Sequence, residues 1–231
     1  MKKTIIILLS FLFFSKANAQ ILKGSIPLAG SVSFNNNSNS WKDTLQSLTT
    51  NNLTYSVAPT IGYFITNNLA VGLGISYSYS KSLWEEHDGA SNSIKKITIS
   101  DNLQFAPYLS YYIHLSDKAY VSINGSVGYT MPLSYDNKTE YYSTTGTTVT
   151  ENKKVNSYSI NANLAPGVLY FINNKFALKG SIGSLYYNYY HSQNNNVSYS
   201  NYQNSTTSGL NFNLSGVSLG VQYFLVRKKS E

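Results

Sequence analysis

Apolar and small polar residues alternate one by one through most of the chain. A period of two commits a segment to a β-strand with one apolar face. Leu53, Tyr55, Val57, Pro59, Ile61 and Tyr63 fall on one side, and Thr54, Ser56, Ala58, Thr60 and Gly62 on the other. Only Phe64-Ile65-Thr66-Asn67-Asn68 separates them from a second such run, Leu69, Val71, Leu73, Ile75, Tyr77 and Tyr79 against Ala70, Gly72, Gly74, Ser76, Ser78 and Ser80. The asparagines suit a tight hairpin turn with positive φ. The same test gives eight segments, at 22–35, 52–64, 69–81, 97–113, 119–135, 156–171, 176–190 and 209–226. Each reaches the about 9–11 residues of a tilted membrane strand.

Two segments change parity midway, near Gly183-Ser184 and near Ser215-Gly216. Glycine at such a change predicts a β-bulge. Short turns, at 65–68, 114–118 and 172–175, alternate with long polar loops at 36–51, 82–96, 136–155 and 191–208. Short periplasmic turns and long outer loops are the transmembrane barrel arrangement.

A soluble barrel also alternates, so the chemistry of the polar face decides. Charged residues make up only 12% of the chain, about half the usual share of about 25%. Ser122, Asn124, Ser126 and Gly128, then Ser159, Asn161, Asn163 and Ala165, fill that face with small groups suited to a crowded lumen. Aromatics sit at strand ends, as interfacial girdles require: Tyr63, Tyr111, Tyr120, Tyr170, Phe176 and Tyr223 at the short turns, and Tyr79, Tyr129, Tyr135, Tyr158, Tyr187 and Tyr189 toward the long loops. Strands in lipid must pair all their backbone groups, so the sheet must close. The reading is all-β: a membrane-spanning antiparallel up-and-down β-barrel of eight strands, over residues 20–226.

Residues 1–19 read as a cleaved signal peptide, with Lys2 and Lys3, an apolar run from Ile5 to Phe14, and Ala17-Asn18-Ala19. That run is too short for a spanning helix of about 20 residues. Residues 227–231 form a short basic periplasmic tail. No cysteine is present, so disulfides, thiolate metal sites and a lipid-bearing cysteine are excluded.

A repeat spans the short turns. Ala58-Pro59 precedes Tyr63-Phe64-Ile65, Ala106-Pro107 precedes Tyr111-Tyr112-Ile113, and Ala165-Pro166 precedes Tyr170-Phe171-Ile172. The last strand ends on a partial copy, Tyr223-Phe224-Leu225. Each in-strand proline removes a ladder donor, and their common register predicts a bulge near the periplasmic rim. With this signature, the signal peptide and the terminal Gly220-Val221-Gln222-Tyr223-Phe224-Leu225, the chain resembles the outer-membrane β-barrel domain proteins abundant in Bacteroidota. It is more distantly similar to the small OmpX/OmpA-type barrels. The resemblance implies outer-membrane residence in a Gram-negative cell and is nearly silent on activity.

An eight-stranded interior admits side chains or one small ligand, which disfavours a general porin. Lys179 is the one charge that parity places in the lumen; it reads as an anion-selecting or gating charge, or as a lysine snorkelling to water. His87 and His191 lie in outer loops, but no serine–histidine–carboxylate spacing supports a lipid hydrolase or acyltransferase. Trp84-Glu85-Glu86-His87-Asp88 lacks calcium-loop spacing, and no cofactor motif is present. The pI near 9.3 does not mark a nucleic-acid binder: seven basic and eight acidic residues fall outside, whereas seven basic and two acidic residues fall on the periplasmic side. The partners expected are outer-membrane lipid, the barrel-assembly machinery and a glycan or protein ligand at the outer loops. Tyr141, Tyr142, Tyr199 and Tyr202, set among Ser, Thr and Asn, are the contact candidates. The function expected is a structural or surface-interaction role through four outer loops; the alternative is a narrow channel for small or apolar solutes.

Overall fold

A computed structural model describes residues 21–44, 46–88, 92–143, 145–152, 155–194, 201–212 and 217–225. The expected signal peptide, the parity change near Ser215-Gly216, Tyr199 and the basic tail therefore lie outside the described residues. The strands are β1 (Ile26–Lys42), β2 (Gln46–Phe64), β3 (Leu69–Asp88), β4 (Asn92–Ser116), β5 (Ala119–Ser143), β6 (Gly146–Asn152), β7 (Val155–Phe171), β8 (Phe176–Ile182), β9 (Ser184–Asn194), β10 (Asn201–Asn211) and β11 (Val217–Leu225). All neighbours pair antiparallel. β8 with β9, and β11 with β10, form the two interrupted strands of the sequence reading. β6 is an extra hairpin arm on β5. What remains is a ring of eight, running from β1 through β5 to β7, then β8/β9, then β11/β10, and back to β1.

The expected long loops are for the most part strand. β4 and β5 each run 25 residues, far beyond the about 9–11 that cross a bilayer, so the hairpins stand well above the outer surface. Their segments carry Ile94, Ile97, Ile99, Thr139 and Val149, residue types that favour strands. With water on both sides they lack the alternation that marks the membrane span.

The alternation sets the wall. Val57, Ile61, Leu73, Ile75, Leu109, Ile123, Val127, Leu164 and Val168 are exposed on the outside. Tyr55 stacks on Tyr79 with centroids 4.9 Å apart, and Tyr129 on Tyr158 at 5.9 Å, along the outer edge of this band. Tyr63 and Tyr111, with Phe176 against Tyr223 at 4.9 Å, mark the inner edge. Tyr55 to Tyr63 is about 27 Å along the strand at ~3.4 Å per residue, enough to cross a tilted apolar band about 25 Å tall. Tyr120 departs from expectation: it turns inward and is buried, because it shares the parity of Ser122 and Asn124.

The prolines also depart from the expected bulge. Pro59 and Pro107 keep their ladders with β1 and β3. On the other side Ala58-Pro59 and Ala106-Pro107 are skipped without a register shift. A missing N–H interrupts one ladder, and the other holds the strand in line. The predicted bulge at Gly183 is present. Its φ is +67°, and the register against β7 moves by one residue between β8 and β9.

One junction differs from the rest. β1 meets β11 only through Ile26–Ala29 against Gln222–Leu225. Above it the strands part among the described residues, leaving Val32 78% and Leu219 86% exposed.

Candidate functional site

Aromatic rings close the periplasmic end of the lumen. In each repeat copy the first aromatic of the pair faces out and the second faces in. Phe64, Tyr112, Phe171 and Phe224 are all buried, and Tyr120 joins them. Centroids lie 5.3 Å apart for Phe64–Tyr112, 6.1 Å for Phe64–Phe224, 4.9 Å for Phe171–Phe224 and 5.8 Å for Tyr120–Phe171. The backbone repeats as well. The amides of Phe64, Tyr112, Phe171 and Phe224 donate to the carbonyls of Ser25, Asn68, Lys118 and Lys175, each on a neighbouring turn or strand end. The repeat thus encodes one inward ring and one inter-hairpin hydrogen bond per copy. Thr66 and Asn173 set the turns, their side-chain oxygens accepting from the amides of Asn68 and Leu69, and of Lys175 and Phe176.

A polar network lies above this plug. Ser110 Oγ donates to Asn124 Oδ1 at 2.8 Å, and Asn124 Nδ2 donates to Ser122 Oγ at 3.1 Å and to the Ala165 carbonyl at 3.4 Å. Lys179 Nζ, which parity placed in the lumen, donates to Asn124 Oδ1 at 3.2 Å. Tyr108 lies across Gly62 and Gly72 of the adjoining strands, where any Cβ would collide with its ring or hydroxyl. A cavity of 250 Å³ remains here, bordered by Thr60, Tyr108, Asn124, Ser126, Lys179 and Gln222.

The outer rim carries two larger spaces. Trp84, Ile94, Lys96, Thr98, Thr139 and Tyr141 border a 530 Å³ vestibule. An 890 Å³ cleft opens where the β5–β7 ladder ends at Thr130 and Ser159. Its walls include Tyr135, Asp136, Asn156, Tyr158, His191 and Gln193. Tyr158 packs on His191 at 5.1 Å, and His191 Nδ1 lies 2.7 Å from Asn204 Oδ1. Sequence reasoning missed this cleft, since a space created by the end of a ladder leaves no local motif.

Of the other candidates, Tyr142 donates to Glu140 Oε2 at 2.6 Å and Tyr202 is exposed on β10. Tyr141 and Tyr142 share a hairpin, whereas Tyr202 stands on another. The Glu140 carboxyl is held below the usual carboxylate range by the Lys138 ammonium at 2.8 Å and by the Tyr142 hydroxyl. Glu85 pairs with Lys95 at 3.1 Å. No group of three metal-ligating side chains occurs among the described residues.

Residues 18–189 match the family described as outer membrane protein beta-barrel domain. The comparison with curated proteins returns no match. Among solved structures the chain is similar to OprG from Pseudomonas aeruginosa, at 13% identity over 91% of this chain and 99% of that one, with a TM-score of 0.42. It is also similar to the N-terminal beta-barrel domain of Pseudomonas aeruginosa OprF, at 12% identity over 88% and 98%, with a TM-score of 0.33.

Proposed function

Because the chain belongs to the outer membrane β-barrel domain family, we propose that it is a small, non-conducting outer-membrane barrel that acts by surface interaction. Export by the N-terminal signal and insertion by the barrel-assembly machinery precede this role. The observation that carries the reading is the division of the molecule. Its periplasmic end is filled by stacked rings, whereas the 890 Å³ cleft opens at the outer rim. Aromatic faces beside Asp136, Asn156 and Gln193 suit a neutral polar ligand such as a glycan. The chemistry of an enzyme is not part of the reading.

The test pairs conductance with binding. Purified protein in planar bilayers gives no steady conductance, and intact cells bind a glycan array in a way that Tyr158→Ala abolishes. Steady conductance, or array binding indifferent to Tyr158→Ala and His191→Ala, overturns it. The second reading, a path for small apolar solutes, is favoured by the parting of β1 from β11 above Ala29. It requires uptake of an apolar dye into the bilayer of protein-containing vesicles.

A further inference from the structure

We propose that the cavity above the aromatic plug binds a small hydroxycarboxylate. The argument begins with charge. Lys179 brings an ammonium to the wall of this cavity, and no carboxylate is among the cavity's lining residues. A charge withdrawn from water needs a partner or a full set of hydrogen bonds. Asn124 Oδ1 supplies one acceptor and already takes a hydrogen bond from Ser110.

The second observation is an acceptor without a donor. Gln222 is 3% exposed and borders the same cavity, and its Oε1 has no hydrogen-bond partner among the described residues. The Tyr112 hydroxyl is hydrogen-bonded by the Gln222 side chain and by Ser110. An orphaned buried acceptor costs the full desolvation of that group. Lys179 stands opposite Gly220 and Ala177 opposite Gln222, so Lys179 and Gln222 are diagonal neighbours on the inward face.

One wall therefore offers a cation and the other an acceptor that lacks a proton. A carboxylate answers the first, and a hydroxyl on the same molecule answers the second. The volume of 250 Å³ equals roughly eight waters at about 30 Å³ each, which suits a solute of lactate size. The site also has an edge on the seam, since Ala29 and Gln222 are both lining residues and form the last pair before β1 and β11 part.

The experiment titrates the full-length refolded protein in micelles with lactate, acetate and chloride, read by calorimetry and by the side-chain amide resonance of Asn124. Lactate is expected to bind about tenfold tighter than acetate, which leaves the Gln222 acceptor unpaired; that ratio corresponds to about 1.4 kcal/mol. Lys179→Met abolishes binding of both, and Gln222→Leu removes the preference while acetate still binds. Equal affinities for lactate and acetate, binding that survives Lys179→Met, or the absence of saturable binding in protein that migrates as a folded barrel each overturn the proposal. If Lys179→Met does not fold, the ranking of the three anions in the native protein decides.

Discussion

Phe64→Ala tests whether the second aromatic of each repeat copy is a structural plug. Phe64 is 0% exposed and packs on Tyr112 and Phe224. An aromatic side chain buries about 150–250 Å², which at about 25 cal/mol per Å² is roughly 4–6 kcal/mol as an upper bound. Measured Phe→Ala changes in packed interiors cost about 3–5 kcal/mol. Two ring contacts place Phe64 in the upper part of that range, so about 4 kcal/mol is expected. The control is its neighbour, Tyr63→Ala. Tyr63 faces the membrane side and remains 43% exposed, so roughly half that loss follows from the same area argument. The assay is reversible urea unfolding of the refolded protein in lipid vesicles, with tyrosine fluorescence and gel migration as independent probes. A loss for Tyr63→Ala equal to or greater than that for Phe64→Ala would refute the inward assignment, and with it the account of the repeat.

Other substitutions probe the remaining features. Val57→Lys, on the outward face, should reduce insertion yield and cost about 2 kcal/mol, between the values for midplane and interface. Ser56→Lys should cost less, since Ser56 faces inward and bonds Ser33 at 2.7 Å. Gly183→Ala should lower the urea midpoint by about 1–3 kcal/mol, because φ is +67° and an added Cβ would strike the Asn211 carbonyl. Acidification should loosen the β5–β6 hairpin. The folded Glu140 carboxyl titrates below its unfolded value, so its contribution is present above the unfolded value and is lost as pH falls through the folded one. Tyr142 ring resonances should report that transition in the native protein and not in Glu140→Gln. Cysteines placed at Ser31 and Gly220, in a chain that has none, should cross-link on oxidation if the seam closes in the register of its base, and should then block dye release into the bilayer. Failure to cross-link in membranes shows that the strands never meet there.

Much of the fold was legible because lipid enforces a simple rule. Inside the membrane one face must be apolar, so Val57 and Ser56, or Leu178 and Lys179, declare their sides by parity alone. The same rule identifies Tyr120 as inward, yet its place at a strand end suggested a girdle; parity was the stronger signal. Above the bilayer the rule lapses. Residues 136–143 and 146–152 pair as strands with polar groups on both faces, and the periodicity falls silent. The cleft at Tyr158 and His191 was illegible for another reason. It joins segments more than 30 residues apart, at a place defined by where two strands stop pairing.

The four-residue base of the seam has a consequence for how this wall is put together. Every other junction of the ring joins strands near in sequence, but Ile26 meets Leu225 only after nearly the whole chain has been laid down. Bringing such distant positions together costs roughly 5 kcal/mol in chain entropy beyond the constant term. About four backbone hydrogen bonds return only ~2–6 kcal/mol, close to balance. Phe224, carried on β11, stacks on Phe64 of β2 and Phe171 of β7, and each such aromatic pair adds about 0.5–1.5 kcal/mol. The rings that stop the lumen are therefore also the latch that keeps the last strand from peeling away. Shutting the circle and sealing its floor are one cooperative event.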